Sequence, residues 1–479
     1  MYTSARNRAQ LVGVAALLAA ACAPERVVGP ARTDLSRLGA SVLSSTTPFI
    51  LRGTIIIPDG VLKHGYVGIA DGRIVYVSDK LPDIAGAVTV NTHGVILPGL
   101  VDVHNHVPWN VLPRWRPGRL FTNQSQWAAD PEYRRVVAGP FDHLAASHFC
   151  DMNAWGELRA LVGGATSILA TQRVSCIHGL VRNLDFNSGF YGTTELDREH
   201  VFNVLRLPPA SDLIARAQFV GAARSFITNP FFEALVIHVA EGTDPAAEEE
   251  VTFLETRALL NPKGVLIHGI SLGASDFQAM AATGTALVWS PRSNLELYGA
   301  TANISAALDA GVEIALAPDW AITGSSNMLD ELKTAAQWNR EHLGQRLTER
   351  QLVDMMTSVP AHIVGIDDEV GAVRPGLRAD LLVIGEGEDE GDDDDPYLTV
   401  IDATAANVQL VLIGGVAMYG DRPLMERFWD GPDLEEIAGA GGTKVLSTAA
   451  AGVGVAQIAA RLQPALAAEG TSLAPLVEP

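Results

Sequence analysis

Between Leu97 and about Ile366 the chain repeats one pattern, a short apolar run followed by a spacer with helical character. Eight such runs can be read: LVDVHNH at 100–106, ATSILAT at 165–171, LVRNLDF at 180–186, VFNVLRL at 201–207, ALVIHVA at 234–240, VLIHGI at 265–270, TALVWS at 285–290 and VEIALAPD at 312–319. Parallel strands cannot be joined by a tight turn; each pair needs a crossover, usually a helix, so alternation of this kind favours a parallel sheet. Eight strand–helix repeats are what a closed (β/α)8 TIM barrel requires. The third and fourth runs fit least regularly, because the spacer 187–200 is short and contains glycine.

The flanks read differently. From Phe49 to Val95, β-branched runs alternate with turns, and the Asp59-Gly60 and Asp71-Gly72 pairs are hairpin signals. Matching β segments return late, as GAVRPGLRADLLVI from Gly371 and VQLVLIGGVAMYGD from Val408. The expectation is therefore an α/β fold: a barrel over 97–366 and a small β-sandwich domain assembled from 49–96 and 367–420. The segment 421–479 is expected to be a helical extension.

Barrel enzymes build their sites at the C-terminal ends of the strands. His104 and His106 lie two apart in the first run, so on a strand both imidazoles face one side. His238 falls near the end of the fifth run, His268 in the sixth and Asp319 at the end of the eighth. A lone interior histidine is ordinarily a hydrogen-bonded core residue, but a pair at this spacing directly after PGLVD points to metal binding. Neutral imidazoles with one carboxylate suit zinc first and iron(II) second, with an open position for water.

The segments PGLVDVHNH, VIHVAEG, LIHGISL, SPRSNLEL and ALAPDW resemble the amidohydrolase superfamily, in particular its cytosine deaminase, chlorohydrolase and imidazolonepropionase group. The resemblance runs from about Phe49 to Gly420. It implies one divalent metal held by His104, His106, His238 and Asp319, with Glu241 as proton shuttle and His268 polarising the substrate or the attacking water. It also assigns Asp319 a part in catalysis, as acceptor of a proton or hydrogen bond during attack. Dinuclear members use a carboxylated lysine on strand four, and this chain has no lysine between Lys80 and Lys263, so that bridge cannot form.

The implied reaction is hydrolysis of a non-peptide carbon–nitrogen bond in a small cyclic molecule. Deamination is slightly favoured over opening of a cyclic amide or imidazolone, although SGFYG at 188–192 is faintly like a loop of ring-opening relatives. A non-catalytic lipoprotein that uses the barrel to bind a ligand is the rival of another class. Weaker substrate contacts are Trp109 and Asn110, ahead of a long segment from Val111 to Cys150 that can serve as a lid, Arg182 on the third run, and Arg292 with Asn294 after the seventh. A structural salt bridge is the alternative for each arginine. His143 and His178 show no spacing that joins them to the metal set.

Charge and leader constrain the setting. A formal net charge of −21 repels phosphate backbones, which excludes nucleic acid as a natural partner. The acidic run from Glu386 to Asp395 reads as a solvated loop. Arg6 and Arg8, the apolar run Leu11 to Ala21 and then Cys22 have the layout of a secretory signal too short to span a bilayer. Leu18-Ala19-Ala20-Ala21-Cys22 resembles a bacterial lipoprotein box, with the large apolar residue four rather than three positions before the cysteine. The expected address is extracytoplasmic, with 1–22 as leader, a lipid at Cys22 as the membrane contact, and 23–48 as tether; a secreted or periplasmic soluble protein is the alternative. Cys150 and Cys176 can pair or stay as buried thiols, and a homo-oligomer is left open.

Overall fold

The computed structural model describes residues 47–169, 180–185, 201–204, 206–385, 395–439 and 443–478. The leader, Cys22, the SGFYG segment, His178 and nearly all of the acidic run lie outside the described residues. So does Cys176, and with it the pairing of Cys150. Among the described residues, no helix is long and apolar enough to cross a membrane.

The eight apolar runs become parallel strands, each shorter than its run: β5 (Leu100–Asp102), β6 (Ala165–Ile168), β7 (Arg182–Asn183), β8 (Val201–Val204), β9 (Ala234–Val239), β10 (Gly264–His268), β11 (Ala286–Trp289) and β12 (Ile314–Leu316). They form a five-stranded sheet in the order β12-β11-β10-β9-β8 and a three-stranded sheet in the order β5-β6-β7. Isolated parallel bridges join the two sheets at both edges, Asp185 to Val201 and Asn105 to Asp319. One buried cluster draws on all eight strands or the residue just past them, including Val101, Leu169, Leu184, Val201, Val236, Ile267, Val288 and Ala315. The alternate residues Leu235, Ile237, Leu266, Leu287 and Leu316 belong to a different cluster, shared with the helices. This is the period-2 division of side chains expected when a strand is buried on both faces.

The principal helices are α1 (Gln124–Ala129), α2 (Phe149–Val162), α3 (Leu213–Thr228), α4 (Pro245–Thr256), α5 (Ala274–Thr283), α6 (Pro291–Tyr298), α7 (Ile304–Ala310), α8 (Met328–His342) and α9 (Val455–Ala468). Their starts follow local chemistry. Asp244 caps α4 by accepting from Ala246 and Ala247 N–H, with Pro245 at the first position, and Asn327 caps α8 by accepting from Asp330 N–H. Gly156 lets α2 press on the turn after His106: a Cβ there would sit 2.0 Å from the Val107 carbonyl oxygen.

The two flanking β regions meet in one nine-stranded sheet, ordered β16-β17-β15-β14-β13-β4-β1-β2-β3. Its strands are β1 (Phe49–Ile57), β2 (Gly60–Ala70), β3 (Arg73–Ser78), β4 (Val88–Pro98), β13 (Leu381–Gly385), β14 (Val408–Ile413), β15 (Val416–Asp421), β16 (Leu434–Glu436) and β17 (Lys444–Ser447). The seam between the two ends of the chain is the antiparallel pair β4–β13, with Leu97 opposite Leu382. Two expectations change here. The strands share one hydrogen-bonded sheet rather than two, and 421–479 is not purely helical. Tyr419 pairs with Leu446, so β17 and then β16 extend the sheet edge. Only α9 and the tail behave as an extension packed outside: Arg461 pairs with Asp151 of α2 at 2.6 Å, and Trp155 donates to the Ala474 carbonyl at 3.0 Å.

Candidate metal centre

His104 and His106 do not sit on the strand, because β5 ends at Asp102. Strand alternation therefore does not aim them. Asp102 does: its carboxylate accepts from His104 N–H at 3.2 Å and from Asn105 Nδ2 at 2.6 Å, folding the segment under itself. Asn105 Oδ1 in turn accepts from His106 N–H at 2.8 Å. His238 lies on the parity of Ala234 and Val236, whose side chains enter the cluster drawn from all eight strands, and so alternation does aim that residue. His268 lies on the opposite parity from Val265 and Ile267, and a left-handed backbone (φ 70°) at His268 marks the point where β10 leaves extended geometry. Ala240 and Asp319 are also left-handed, at φ 55° and 65°. Such conformations cost non-glycine residues free energy and cluster where a site over-determines them.

These turns bring five side chains together. His104 Nε2 lies 3.1 Å from His238 Nε2, and Asp319 Oδ1 lies 3.2 Å from His104 Nε2 and 3.1 Å from His106 Nε2. Two overlapping groups have ligand geometry: His104, His106 and His238, and His104, His268 and Asp319. Burial pushes His104 down to about 4, against the upward pull of Asp319, and pushes His238 well below the usual histidine range. Asp319 is also buried, which alone would raise it, but His104 and His106 outweigh this and hold it well below the usual carboxylate range. The His238 Nδ1–H faces the Val204 carbonyl at 3.2 Å, which leaves its Nε2 as a bare lone pair. Neutral imidazole lone pairs and one carboxylate converging at 3.1–3.2 Å fit a divalent cation, since bonds of about 2.0–2.1 Å hold neighbouring donors roughly 3.0–3.4 Å apart.

Glu241 stands beside this set and outside both ligand groups. Its side chain is buried, which pushes it up to about 7 against the hydrogen bond from Tyr298. Its Oε2 is 3.8 Å from His268 Nε2. His268 Nδ1 lies 2.9 Å from Asn294 Oδ1, while Asn294 Nδ2 donates to Thr301 Oγ1 at 3.2 Å. That orientation of the amide makes His268 Nδ1 the donor and leaves Nε2 as an acceptor facing the site. Burial also lowers His268. As placed, the ring can orient a water or a substrate N–H; donating to an oxyanion would require a second proton.

The weaker substrate contacts divide. Asn110 is buried, donating to Asn105 Oδ1 at 2.8 Å and accepting from Ala321 N–H at 2.9 Å, so it braces the turn carrying the histidines. Arg182 is fully buried, with NH2 donating to Asp380 Oδ1 at 2.9 Å, and its guanidinium ties β7 to the nine-stranded sheet. Asn294 is completely buried and positions His268. These three are structural, against the substrate role expected of them. Trp109 is half-buried, stacks on Phe141 and meets Trp320, whose ring centroid is 5.7 Å from that of His106. Arg292 is half-buried, and its charge is felt at Asp330 and Glu331. His143 lies away from the histidine set, paired with Glu469 at 2.6 Å.

Tyr298 was not read from the sequence, although a signal existed. It lies four residues after Asn294 on α6, hence on the same face, so one helix face steadies both His268 and Glu241. Ser290, whose Oγ is 2.8 Å from His104 Nδ1, was also missed.

Comparison with known proteins places this geometry. A model of the amidohydrolase family matches residues 234–418. The 5'-deoxyadenosine deaminase of Methanosarcina barkeri is 23% identical over 397 residues, covering 76% of this chain and 90% of that protein. The 5-methylthioadenosine/S-adenosylhomocysteine deaminase of Halobacterium salinarum is 24% identical over 428 residues, covering 80% and 94%. Among solved structures, guanine deaminase from E. coli superposes with a TM-score of 0.62 at 18% identity, covering 78% of this chain and 99% of that one. Atrazine chlorohydrolase from Arthrobacter aurescens TC1 complexed with zinc gives 0.61 at 19% identity, covering 77% and 95%. The family model over 234–418, relatives matched over nearly their full length and a shared fold agree with the histidine and carboxylate geometry: this chain is similar to proteins of the amidohydrolase family.

Proposed function

We propose that the chain is a metal-dependent hydrolase that cleaves a non-peptide carbon–nitrogen bond in a small cyclic compound, by deamination of an amino-heterocycle. The observation that carries this reading is a buried carboxylate, Glu241, raised to about 7 beside a convergent set of neutral imidazoles and one carboxylate. A ligand-binding barrel needs no such proton carrier. Relatives named as deaminases of adenosine-type nucleosides favour an amino-heterocycle over a cyclic amide.

His104, His106, His238 and Asp319 would hold one divalent ion, zinc in the first place. A cation held there would supply a water that ionises nearer neutrality. Glu241 takes a proton from the attacking water and returns it to the leaving nitrogen, a task suited to a group titrating near neutral pH. His268 Nε2 accepts a hydrogen bond and orients the water or the substrate amino group. Asp319 remains ionised and can accept a hydrogen bond during attack. Trp109 and Trp320 supply an aromatic wall beside His106, against which a planar ring can lie.

The architecture in this reading is a (β/α)8 barrel over about 97–366, its eight strands closed through the Asp185–Val201 and Asn105–Asp319 bridges, with active-site residues at the strand ends. The nine-stranded sheet, with its own buried core in which Phe49 meets Phe428 edge-on, is the satellite domain. The proposed address, a lipid-anchored body outside the cytoplasm, rests on the leader alone.

Metal analysis with an ammonia-release screen tests the function. About one metal per chain is expected, falling in His106→Ala, with ammonia released from at least one amino-purine, amino-pyrimidine or amino-triazine. Two equivalents would reject the mononuclear site. A metal-loaded protein that opens a cyclic amide or imidazolone and releases no ammonia would move the reaction to ring opening; one that does neither would refute the enzyme reading.

A further inference from the structure

We propose that Tyr298 and Trp127 form a hydrogen-bond relay that positions Glu241 and biases which of its two oxygens carries the proton. The proposal rests on the reading of Glu241 as proton shuttle. Trp127 Nε1 donates to the Tyr298 hydroxyl oxygen at 2.7 Å, and that hydroxyl donates to Glu241 Oε1 at 2.5 Å. All three side chains are at most 9% exposed.

The direction of this relay is forced. An indole N–H can only donate, so the tyrosine oxygen accepts from Trp127 and its single proton must point elsewhere. The Glu241 carboxylate is the acceptor in reach, so the relay uses one lone pair of Oε1 and favours Oε2 as the oxygen that takes the shuttled proton. Oε2 is the oxygen 3.8 Å from His268 Nε2.

The relay also ties Glu241 to the segment that follows β5. Trp127 lies on α1, and the residues just before α1 are stitched to the loop just after Glu241. Thr243 N–H donates to the Thr122 carbonyl at 2.8 Å, Thr122 Oγ1 donates to Asp244 Oδ2 at 3.0 Å, and Asn123 bridges Gly242. Only glycine fits at 242, where a Cβ would stand 2.3 Å from the Thr122 carbonyl oxygen and φ is 154°. The segment 122–127 thus holds Glu241 twice, through the backbone of the next residue and through its Oε1. Tyr298 and Trp127 are positioning residues, acting through Glu241.

The test uses metal-loaded full-length protein and a substrate found by the ammonia screen, with Tyr298→Phe, Trp127→Phe, the double variant and Glu241→Gln. Losing a hydrogen bond to a charged group lowers kcat roughly 10- to 100-fold in Tyr298→Phe, with KM within about 3-fold of wild type because substrate contacts are untouched. Trp127→Phe gives a smaller loss in kcat, and the loss in the double variant is smaller than the product of the two single losses, since Trp127 and Tyr298 act on the same carboxylate as one unit. In metal-free protein with nitrogen-labelled tryptophan, the Trp127 indole N–H resonance shifts in Tyr298→Phe. Wild-type kcat in Tyr298→Phe, or losses that multiply in the double variant, would overturn the relay. Should Tyr298→Phe not fold, an unchanged kcat in Trp127→Phe overturns it as well. Full activity in Glu241→Gln would instead sink the shuttle reading, which separates the two failures.

Discussion

Replacing Glu241 with glutamine is the most informative single change at the candidate site. Glutamine keeps the volume and can keep the hydrogen bond from Tyr298 through its own carbonyl oxygen, while its amide NH2 faces the His268 Nε2 lone pair without a charge clash. Fold and metal should therefore survive, because Glu241 belongs to neither ligand group. What disappears is the exchangeable proton. Positioned acid–base groups contribute about 10² to 10⁴-fold, or roughly 3–5 kcal/mol of barrier, and the loss should fall in kcat rather than KM. The pH profile sharpens the case. Burial raises Glu241 to about 7, so below that pH it is protonated and cannot act as base. Activity should then fall as pH drops through a value at or below 7, the charge of a bound cation pulling the limb downward. The assay is steady-state ammonia release across pH, with metal content measured on the same preparation. Unchanged kcat in Glu241→Gln would remove the residue from the mechanism. Loss of metal would make it a ligand, or a ligand's partner.

Two further outcomes concern stability. Arg182→Met leaves Asp380 as a buried unpaired carboxylate, and breaking such a pair costs about 3–5 kcal/mol; urea unfolding should show it, whereas a stable variant with a raised KM would restore Arg182 as a substrate contact. Glu331 is completely buried, and burial raises it from 4.5 to about 7. The folded state therefore binds the proton more tightly than the unfolded chain, so the stability due to that proton is present below pH 4.5 and is lost as pH rises to 7, a cost of about 3 kcal/mol. Glu331→Gln should flatten the decline in unfolding free energy across that window by up to one proton in metal-free protein. An unchanged slope would refute the assignment.

The eight strands and the residues that end them were legible in the chain because both rest on local patterns: apolar runs at regular intervals, and histidines and carboxylates at run ends. Even there the local rule was incomplete. His104 and His106 meet through a turn braced by Asp102 rather than through strand alternation, and His268 is set where a left-handed residue ends β10. Asn110, Arg182 and Asn294 have the chemistry of substrate contacts, and apart from the Asn110–Asn105 and Asn294–Thr301 hydrogen bonds the partners that occupy them are distant in sequence. Those partners are Ala321, Asp380 and His268, which lie 211, 198 and 26 residues away and become neighbours only when the strands assemble. The same holds for Tyr298, whose distance from Glu241 is 57 residues in sequence and 2.5 Å in space.

The sequence by itself determined the existence and succession of the strand segments and the donor types at their ends, since hydrophobic periodicity and ligand chemistry are properties of single segments. Tertiary structure alone decided which polar groups face the site and which are spent holding it. It also decided that β16 and β17 join the sheet edge, and that one oxygen of Glu241 is occupied. Each of these is a question of hydrogen-bond partnership between distant segments, and a buried polar group takes whatever partner packing brings within reach because leaving it unpaired costs more.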